Sequence, residues 1–248
     1  VIIVLCGVRG SGKDTIGDLL RDQHGFTKEA FANPLKEMVK HAFPAITDED
    51  LYGPSKNRER EYGQYPFSGE CVSCGCQCQP IPKHLQGPHE AWDCPECGLI
   101  YPASVNARIA CQALGTSWGR RLYRNVWIDA CFERIKNHAR PFYEHLGKHM
   151  IDPKTNAPAT LEAVAAGRNW VITDGRFRNE VARSRELGGF AVLLTRGLKE
   201  STDPHPSEAE LRTMKPEEFN LVFDNASMAL EGLPAAVEGL LKTIKAAG

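Results

Sequence analysis

No apolar run in this chain is long enough to cross a bilayer. The longest, Val1 to Cys6, falls far short of the roughly 20 residues a membrane helix requires. A charged leader followed by an apolar stretch and a small-residue cleavage site is also missing, so the expected location is the cytoplasm, away from any membrane. Charge of one sign is not in excess: 30 Lys and Arg stand against 31 Asp and Glu, a net charge of −1. That balance excludes a broad basic field able to wrap nucleic acid and allows only a local cationic pocket. Stable nucleic-acid binding is therefore not expected, and the partner should be small. Internal repeats and low-complexity tracts are absent as well. With 248 residues, 42% hydrophobic and 25% charged, the composition is that of one globular domain, with or without an insertion.

Cysteine is what the chain has in unusual supply. Of nine cysteines, six crowd together as Cys71, Cys74, Cys76, Cys78, Cys94 and Cys97, and only Cys6, Cys111 and Cys131 lie elsewhere. A metal suits that clustering better than a disulfide framework. Cys71-Val-Ser-Cys74 and Cys94-Pro-Glu-Cys97, with 19 residues between the pairs, match the spacing in which two knuckles supply four thiolates to Zn²⁺. The expected site is structural, because four thiolates leave zinc no open position. Cys76 and Cys78 are surplus and could replace Cys74, so the second pair is the better defined. His84 and His89 fall in the same block, where a histidine is more often a surface residue than a ligand.

Periodicity outlines the remainder. Val1 to Cys6 is a β-branched run of the kind buried on both faces of a parallel sheet. Ile16, Leu19 and Leu20 then recur at helical spacing as far as Gly25, a C-terminal cap. A short strand is expected around Phe26 to Phe31, and a helix from Asn33-Pro34 carries Leu35, Met38, Val39 and Ala42. From Tyr52 to Pro102 no period survives. A helix over Val105 to Leu114, closed by Gly115, is followed by the stripe Ile128, Cys131, Phe132 and Ile135. Strands are expected at Trp170 to Thr173, Phe190 to Leu194 and Leu221 to Phe223, with helices from Asn179 to Leu187 and from about Pro234. Alternating strands and helices predict an α/β fold, a doubly wound parallel sheet with a small zinc-binding insertion. The expected division is a core of residues 1–69 and 101–248 around an insertion at 70–100.

Gly7-Val-Arg9-Gly10-Ser11-Gly12-Lys13-Asp14-Thr15 matches G-x-x-x-x-G-K and lies between a buried strand and an amphipathic helix, the setting of a Walker A loop. Glycines let successive amides turn inward to form an anion nest, the helix N-terminus adds its dipole, and Lys13 reaches the outer phosphates of ATP. Asp14 stands where a serine or threonine usually binds Mg²⁺, and Thr15 comes one residue late. A carboxylate beside phosphates repels them unless a cation intervenes, so Asp14 should face Mg²⁺, its waters or a basic side chain. The bland alternative is an aspartate favoured only by the helix dipole.

These segments, taken in order, resemble the deoxynucleoside monophosphate kinases of bacteriophages, within the P-loop nucleoside monophosphate kinases. The likeness runs over Gly7 to Thr15, Phe31-Ala-Asn-Pro-Leu-Lys36, Leu51 to Glu59, Gln112-Ala-Leu-Gly-Thr116, Asn125-Val-Trp127, Thr173-Asp-Gly-Arg-Phe-Arg-Asn-Glu180 and His205-Pro-Ser-Glu208. It implies that Ser11, Asp14, Thr15, Arg108, Gln112, Gly115, Thr116, Trp127, Asp174, Arg176 and Glu180 surround the monophosphate and the metal, in the host cytoplasm if a phage encodes the chain. Part of this has independent support. Arg108 and Gln112 are four apart and share a helical face, pairing a phosphate-binding guanidinium with an amide able to read a base edge. Asp174 ends a strand, where α/β sheets gather ligands, and could hold Mg²⁺ with Asp14. Trp127 is as well suited to packing as to stacking on a base, and Glu180 to an internal ion pair. The chain departs from some members of the group at Ile109, which carry lysine there, and in the cysteine block.

The reaction so implied needs no general base, because a phosphate monoester with a second pKa of about 6 is already ionised at neutral pH. The absence of a Ser-His-Asp or Cys-His constellation is consistent with that. Lys13, the loop amides and Mg²⁺ would hold ATP, with Lys13, Arg108, Asp174 and Arg176 the catalytic candidates, while Arg9 helps draw the two anions together. Arg120, Arg121 or Arg196 would add charge on closure. A homodimer is compatible with the sequence, which does not fix the oligomeric state. Two other readings compete: a P-loop kinase for another small phosphate-bearing acceptor, and a zinc-ribbon binding module with a nucleotide switch. Glu70, Glu90, Asp93 and Glu96 against Lys83 make the ribbon a poor phosphate tracker.

Overall fold

The computed structural model describes residues 1–66, 68–71, 73–82, 91–102, 104–145, 168–198 and 206–247. Val72, Lys83, His84, His89, Glu90 and His205 lie outside the described residues. In chain order the principal elements are β1 (Ile2–Cys6), α1 (Lys13–His24), β2 (Thr27–Glu29), α2 (Asn33–Ala42), α3 (Asp48–Tyr52), β3 (Tyr62–Pro66), β4 (Gln79–Pro80), β5 (Ala91–Asp93), β6 (Ile100–Pro102), β7 (Ser104–Val105), α4 (Ala107–Gln112), α5 (Val126–His145), β8 (Trp170–Gly175), α6 (Arg178–Glu186), β9 (Phe190–Leu194), α7 (Pro206–Thr213), β10 (Leu221–Phe223) and α8 (Leu233–Ala247). They fall into two compact units, Val1–Pro34 with Leu122–Gly248, and Leu35–Arg121. No described helix is long and apolar enough to cross a membrane.

The first unit is built on a parallel sheet ordered β10-β9-β1-β8-β2. Its central strand has the unbroken apolar run because both of its faces are covered. Ile2, Val4 and Cys6 point into one core with Ile172, Leu193 and the α5 residues Ile128, Cys131, Phe132 and Ile135. Ile3 and Leu5 point into the other, with Ile16 and Leu20 of α1 and Val237, Leu240, Leu241 and Ile244 of α8. Alternation along β1 thus assigns its side chains to two helical layers, the doubly wound arrangement expected of the sequence. Ile16 is fully buried, and its truncation to alanine would cost about 2–5 kcal/mol. Parallel strands place all their C-terminal ends on one edge, and the loops that follow β1, β2, β8, β9 and β10 gather there.

In the second unit β3 pairs with β7, and β4, β5 and β6 form a separate antiparallel sheet. These strands are two to five residues long, too short for a period to show. Thr47 caps α3, and the fully buried Asp50 carboxylate returns to the Thr47 amide at 2.8 Å while accepting from the Thr47 and Tyr62 hydroxyls. Asn106 caps α4 by accepting from Ile109 N at 2.9 Å.

The helix expected over Val105 to Leu114 differs from the sequence reading at both ends: Val105 belongs to β7, and α4 begins only at Ala107, after the Asn106 cap. Gly115 does not close the helix before it; α4 runs on as a π-helical turn over Ala113–Gly119 and a last α-helical turn over Arg120–Leu122. Glycine serves close packing here, since a Cβ at position 115 would lie 2.7 Å from Leu35 Cδ2. The π turn shifts the helix face beyond Gln112, so side chains there depart from α-helical spacing.

Candidate active site and metal centre

Gly12 precedes α1 with φ of 90°, a left-handed conformation that glycine adopts without steric cost. Asp14 lies in the first turn. Lys13 is only 6% exposed, and its ammonium donates to Gly7 O at 2.6 Å, Val8 O at 2.8 Å and Ser11 Oγ at 3.3 Å. Burial and the nearby Arg176 lower its pKa to about 8, against the opposing pull of Glu208, Asp14 and Cys6. The ammonium is therefore held where a phosphate would be welcome, as an added acceptor and a compensating charge.

Asp14 is solvent-facing and pairs with Lys28 Nζ of β2 at 3.0 Å. Thr173 Oγ1 donates to the same oxygen at 3.3 Å. Partial burial pushes the Asp14 carboxyl up, but the Lys28 bond and charge, the Thr173 hydroxyl and Lys13 outweigh it and leave the pKa below its ordinary value. Asp14 stays ionised beside the loop, the condition for taking a hard cation. Thr15 is exposed next to it.

Asp174 is more committed than its place at a strand end suggested. Its two oxygens accept from Phe31 N at 2.7 Å and Ala32 N at 3.0 Å, bracing the turn between β2 and α2. Glu180, buried at 2% exposure, caps α6 by accepting from Arg176 N at 2.8 Å and Phe177 N at 3.0 Å. Arg176 in turn donates from Nη1 to Glu208 Oε1 at 3.0 Å. Trp127 is buried in the first turn of α5.

Two residues that matter to the loop were not singled out from the sequence. Glu208, at the start of α7 and 1% exposed, accepts from Arg9 N with both oxygens, at 3.0 and 3.2 Å. Asn225, also 1% exposed, donates from Nδ2 to Ser11 O at 2.8 Å and accepts from Arg196 N at 3.0 Å. The only signal for Glu208 was its place in the His-Pro-Ser-Glu segment, and Asn225 gave none. Arg196 is not free to act as a lid charge, because its guanidinium donates to Asn225 O at 3.1 Å and to Met228 O.

The structure thus brings the loop Gly7 to Thr15 together with Asp174, Arg176 and Glu180 in the first unit. Arg108, Gln112, Gly115 and Thr116 belong to the second. There Arg108 Nη2 pairs with Glu59 at 3.0 Å, Gln112 and Thr116 are exposed, and Gly115 is buried.

Also in the second unit, Cys71, Cys74, Cys94 and Cys97 place their sulfurs within 4.8 Å of one another. Cys71 and Cys97 are 3.5 Å apart, as are Cys74 and Cys94. Tetrahedral zinc with Zn–S bonds of about 2.3 Å separates its sulfurs by about 3.8 Å, so the donor set fits a metal of that kind. Both half-sites have the same backbone. Gly75 N donates to Cys71 O at 2.8 Å and Gly98 N to Cys94 O at 2.9 Å, and both glycines have positive φ, 73° and 70°. Cys97 N donates to Cys94 Sγ at 3.3 Å, and the Tyr101 hydroxyl lies 3.2 Å from Cys71 Sγ. Cys76 approaches Cys94 Sγ to 3.2 Å, which keeps it beside the cluster, whereas Cys78 is buried nearby.

No family model matches the chain. It is similar to a protein of Acanthamoeba polyphaga mimivirus that bears the provisional name deoxynucleotide monophosphate kinase, with 28% identity over 222 residues, 90% of this chain and 88% of that one. It is also similar to the deoxynucleotide monophosphate kinase of Escherichia phage RB69, with 25% identity over 270 residues, 97% of this chain and 99% of that one. Both matches run almost end to end, as the ordered motifs require.

Proposed function

We propose that this chain is a deoxynucleoside monophosphate kinase, transferring the terminal phosphoryl group of ATP to a deoxynucleoside monophosphate and releasing the two diphosphates. The observation that carries this reading is the loop itself: Lys13, Asp14 and Arg176 stand at the C-terminal ends of adjacent strands, in a chain similar along nearly its whole length to two viral proteins with that name. The cytoplasm, where both substrates dissolve, is the compartment we propose.

The acceptor phosphate is its own nucleophile, so the protein's task is to bring two anions together and stabilise the charge passing between them. The Gly10 to Thr15 amides and Lys13 hold the donor phosphates, with Arg9 at the loop's outer edge. Arg176, fixed through its own backbone by Glu180, presents a guanidinium to the transferred group. Arg108, Gln112, Gly115 and Thr116 of the second unit, with Trp127, are assigned to the monophosphate on the strength of the family resemblance. Asp14 is the carboxylate with room for Mg²⁺; Asp174, with both oxygens on backbone amides, would act on the ion through water. When bound, Mg²⁺ would offset charge on the β and γ oxygens of ATP. The four cysteines would hold Zn²⁺ as a structural ion of the 70–100 insertion, whose short strands bury little apolar surface of their own.

A coupled assay of ADP release across all ribo- and deoxyribonucleoside monophosphates tests the reading. At least one deoxynucleoside monophosphate should be turned over, and Lys13→Ala should lower that rate by about two orders of magnitude or more with the fold intact. Activity of Lys13→Ala within threefold of the native protein would sink the kinase assignment.

A further inference from the structure

We infer that Glu208 is a positioning residue of the transfer reaction: one buried carboxylate at the start of α7 ties the Arg9 amide of the glycine loop to the Arg176 guanidinium. The role rests on the kinase reading above and adds to it a residue that the motifs leave without a task.

A carboxylate at 1% exposure is costly to bury unless its lone pairs are taken. Those of Glu208 are taken by groups belonging to the reaction. Arg9 N reaches both oxygens, at 3.0 and 3.2 Å, and Arg176 Nη1 reaches Oε1 at 3.0 Å. Arg176 is thereby fixed twice by different acids, its backbone amide by Glu180 at 2.8 Å and its side chain by Glu208. The mount is rigid: Leu211 of α7 and the following Met214 are packed into the core beneath the sheet. A carboxylate in a site for polyanions weakens phosphate binding by repulsion, so its presence there calls for a compensating role. Holding two donors at one spacing supplies such a role, since misplacement of a reacting group by about 1 Å can cost 100-fold in rate.

Three proteins separate this role from a merely structural one: the native chain, E208Q and E208D. Binding of the non-hydrolysable ATP analogue AMP-PNP with Mg²⁺ is measured by calorimetry at pH 7.5, with turnover assayed in parallel. E208Q should keep the native circular dichroism and lose about 10- to 100-fold in kcat, while its affinity for the analogue stays within threefold of native. E208D keeps the charge and shortens the reach, so its kcat should drop as well. Combined with Arg176→Ala, E208Q should add little further loss, because each breaks the same link. A kcat of E208Q within threefold of native, an analogue affinity that falls as far as kcat, or losses for E208Q and Arg176→Ala that multiply independently, would overturn the proposal. Should E208Q fail to fold, E208D decides, and an unchanged kcat in E208D overturns it equally. Failure of the native protein to phosphorylate any monophosphate would instead refute the kinase reading on which the proposal rests.

Discussion

The buried ammonium of Lys13 makes nucleotide binding a proton-uptake reaction, and its size can be worked out. In the free protein Lys13 has a pKa of about 8; facing phosphates, it should regain at least the ordinary lysine value of about 10.4. Affinity for AMP-PNP should then be flat below about pH 7.5 and fall tenfold per unit above pH 8. Between pH 7 and 9.5 the loss comes to roughly 30-fold, or about 2 kcal/mol. Stability should move the opposite way. From about pH 8 to 10 the unfolded chain, with its lysine at the ordinary value, binds more protons than the native one, so this residue contributes increasing stability as pH rises. Calorimetry in buffers of differing ionisation enthalpy measures the proton directly: about half a proton taken up per nucleotide at pH 8, and nearly one at pH 9.5. Lys13→Arg provides the control, since a guanidinium does not titrate in this range. A pH-independent dissociation constant for the native protein, or a slope retained by Lys13→Arg, would refute the reasoning.

Arg108→Ala should raise the KM of the monophosphate by tenfold or more while changing that of ATP by less than threefold, and equal changes for both substrates, read from initial rates, would place it on the wrong phosphate; Arg176→Ala should lower kcat by about 100-fold, and an unchanged kcat would remove it from the reaction. Asn225→Ala leaves Ser11 O and Arg196 N unpaired, which should cost about 1–3 kcal/mol in thermal unfolding and raise the KM of ATP alone. The double substitution Cys94→Ser with Cys97→Ser should release one zinc ion per chain, scored by mass spectrometry of the metal, and make residues 70–100 readily cleaved by protease. Native protein purified under reducing conditions and found to contain no zinc would remove the metal site.

What could be read from the sequence was local. Strand β1, the glycine loop and α1 are contiguous, so one stretch of chain shows the apolar run, the glycines and the helical period together. The cysteine knuckles were legible for the same reason, each being four residues and a glycine. Asn225 was missed, and Glu208 was noticed only within the His-Pro-Ser-Glu segment and given no task, because they reach the loop from 214 and 199 residues away, and nothing local shows which partner an amide or a carboxylate finds after folding. Asp174 was recognised by position, yet its bonds to Phe31 and Ala32 depend on β2 lying beside β8. Gly115 misled for a different reason: a glycine after a helical run usually signals a stop, and here it makes room for Leu35.

The strand order has a consequence for how the chain is made. Ile2 pairs with Trp170 and Ile3 with Phe190, so β1, an entirely apolar strand, is synthesised long before either of its neighbours in the sheet. At synthesis rates of about 5–20 residues per second, roughly ten seconds or more pass with that strand unpaired. Pairings so distant in sequence also slow folding once synthesis ends. Overproduction should therefore favour aggregation more than the stability of the finished protein would suggest, and slower synthesis at lower temperature should raise the soluble yield.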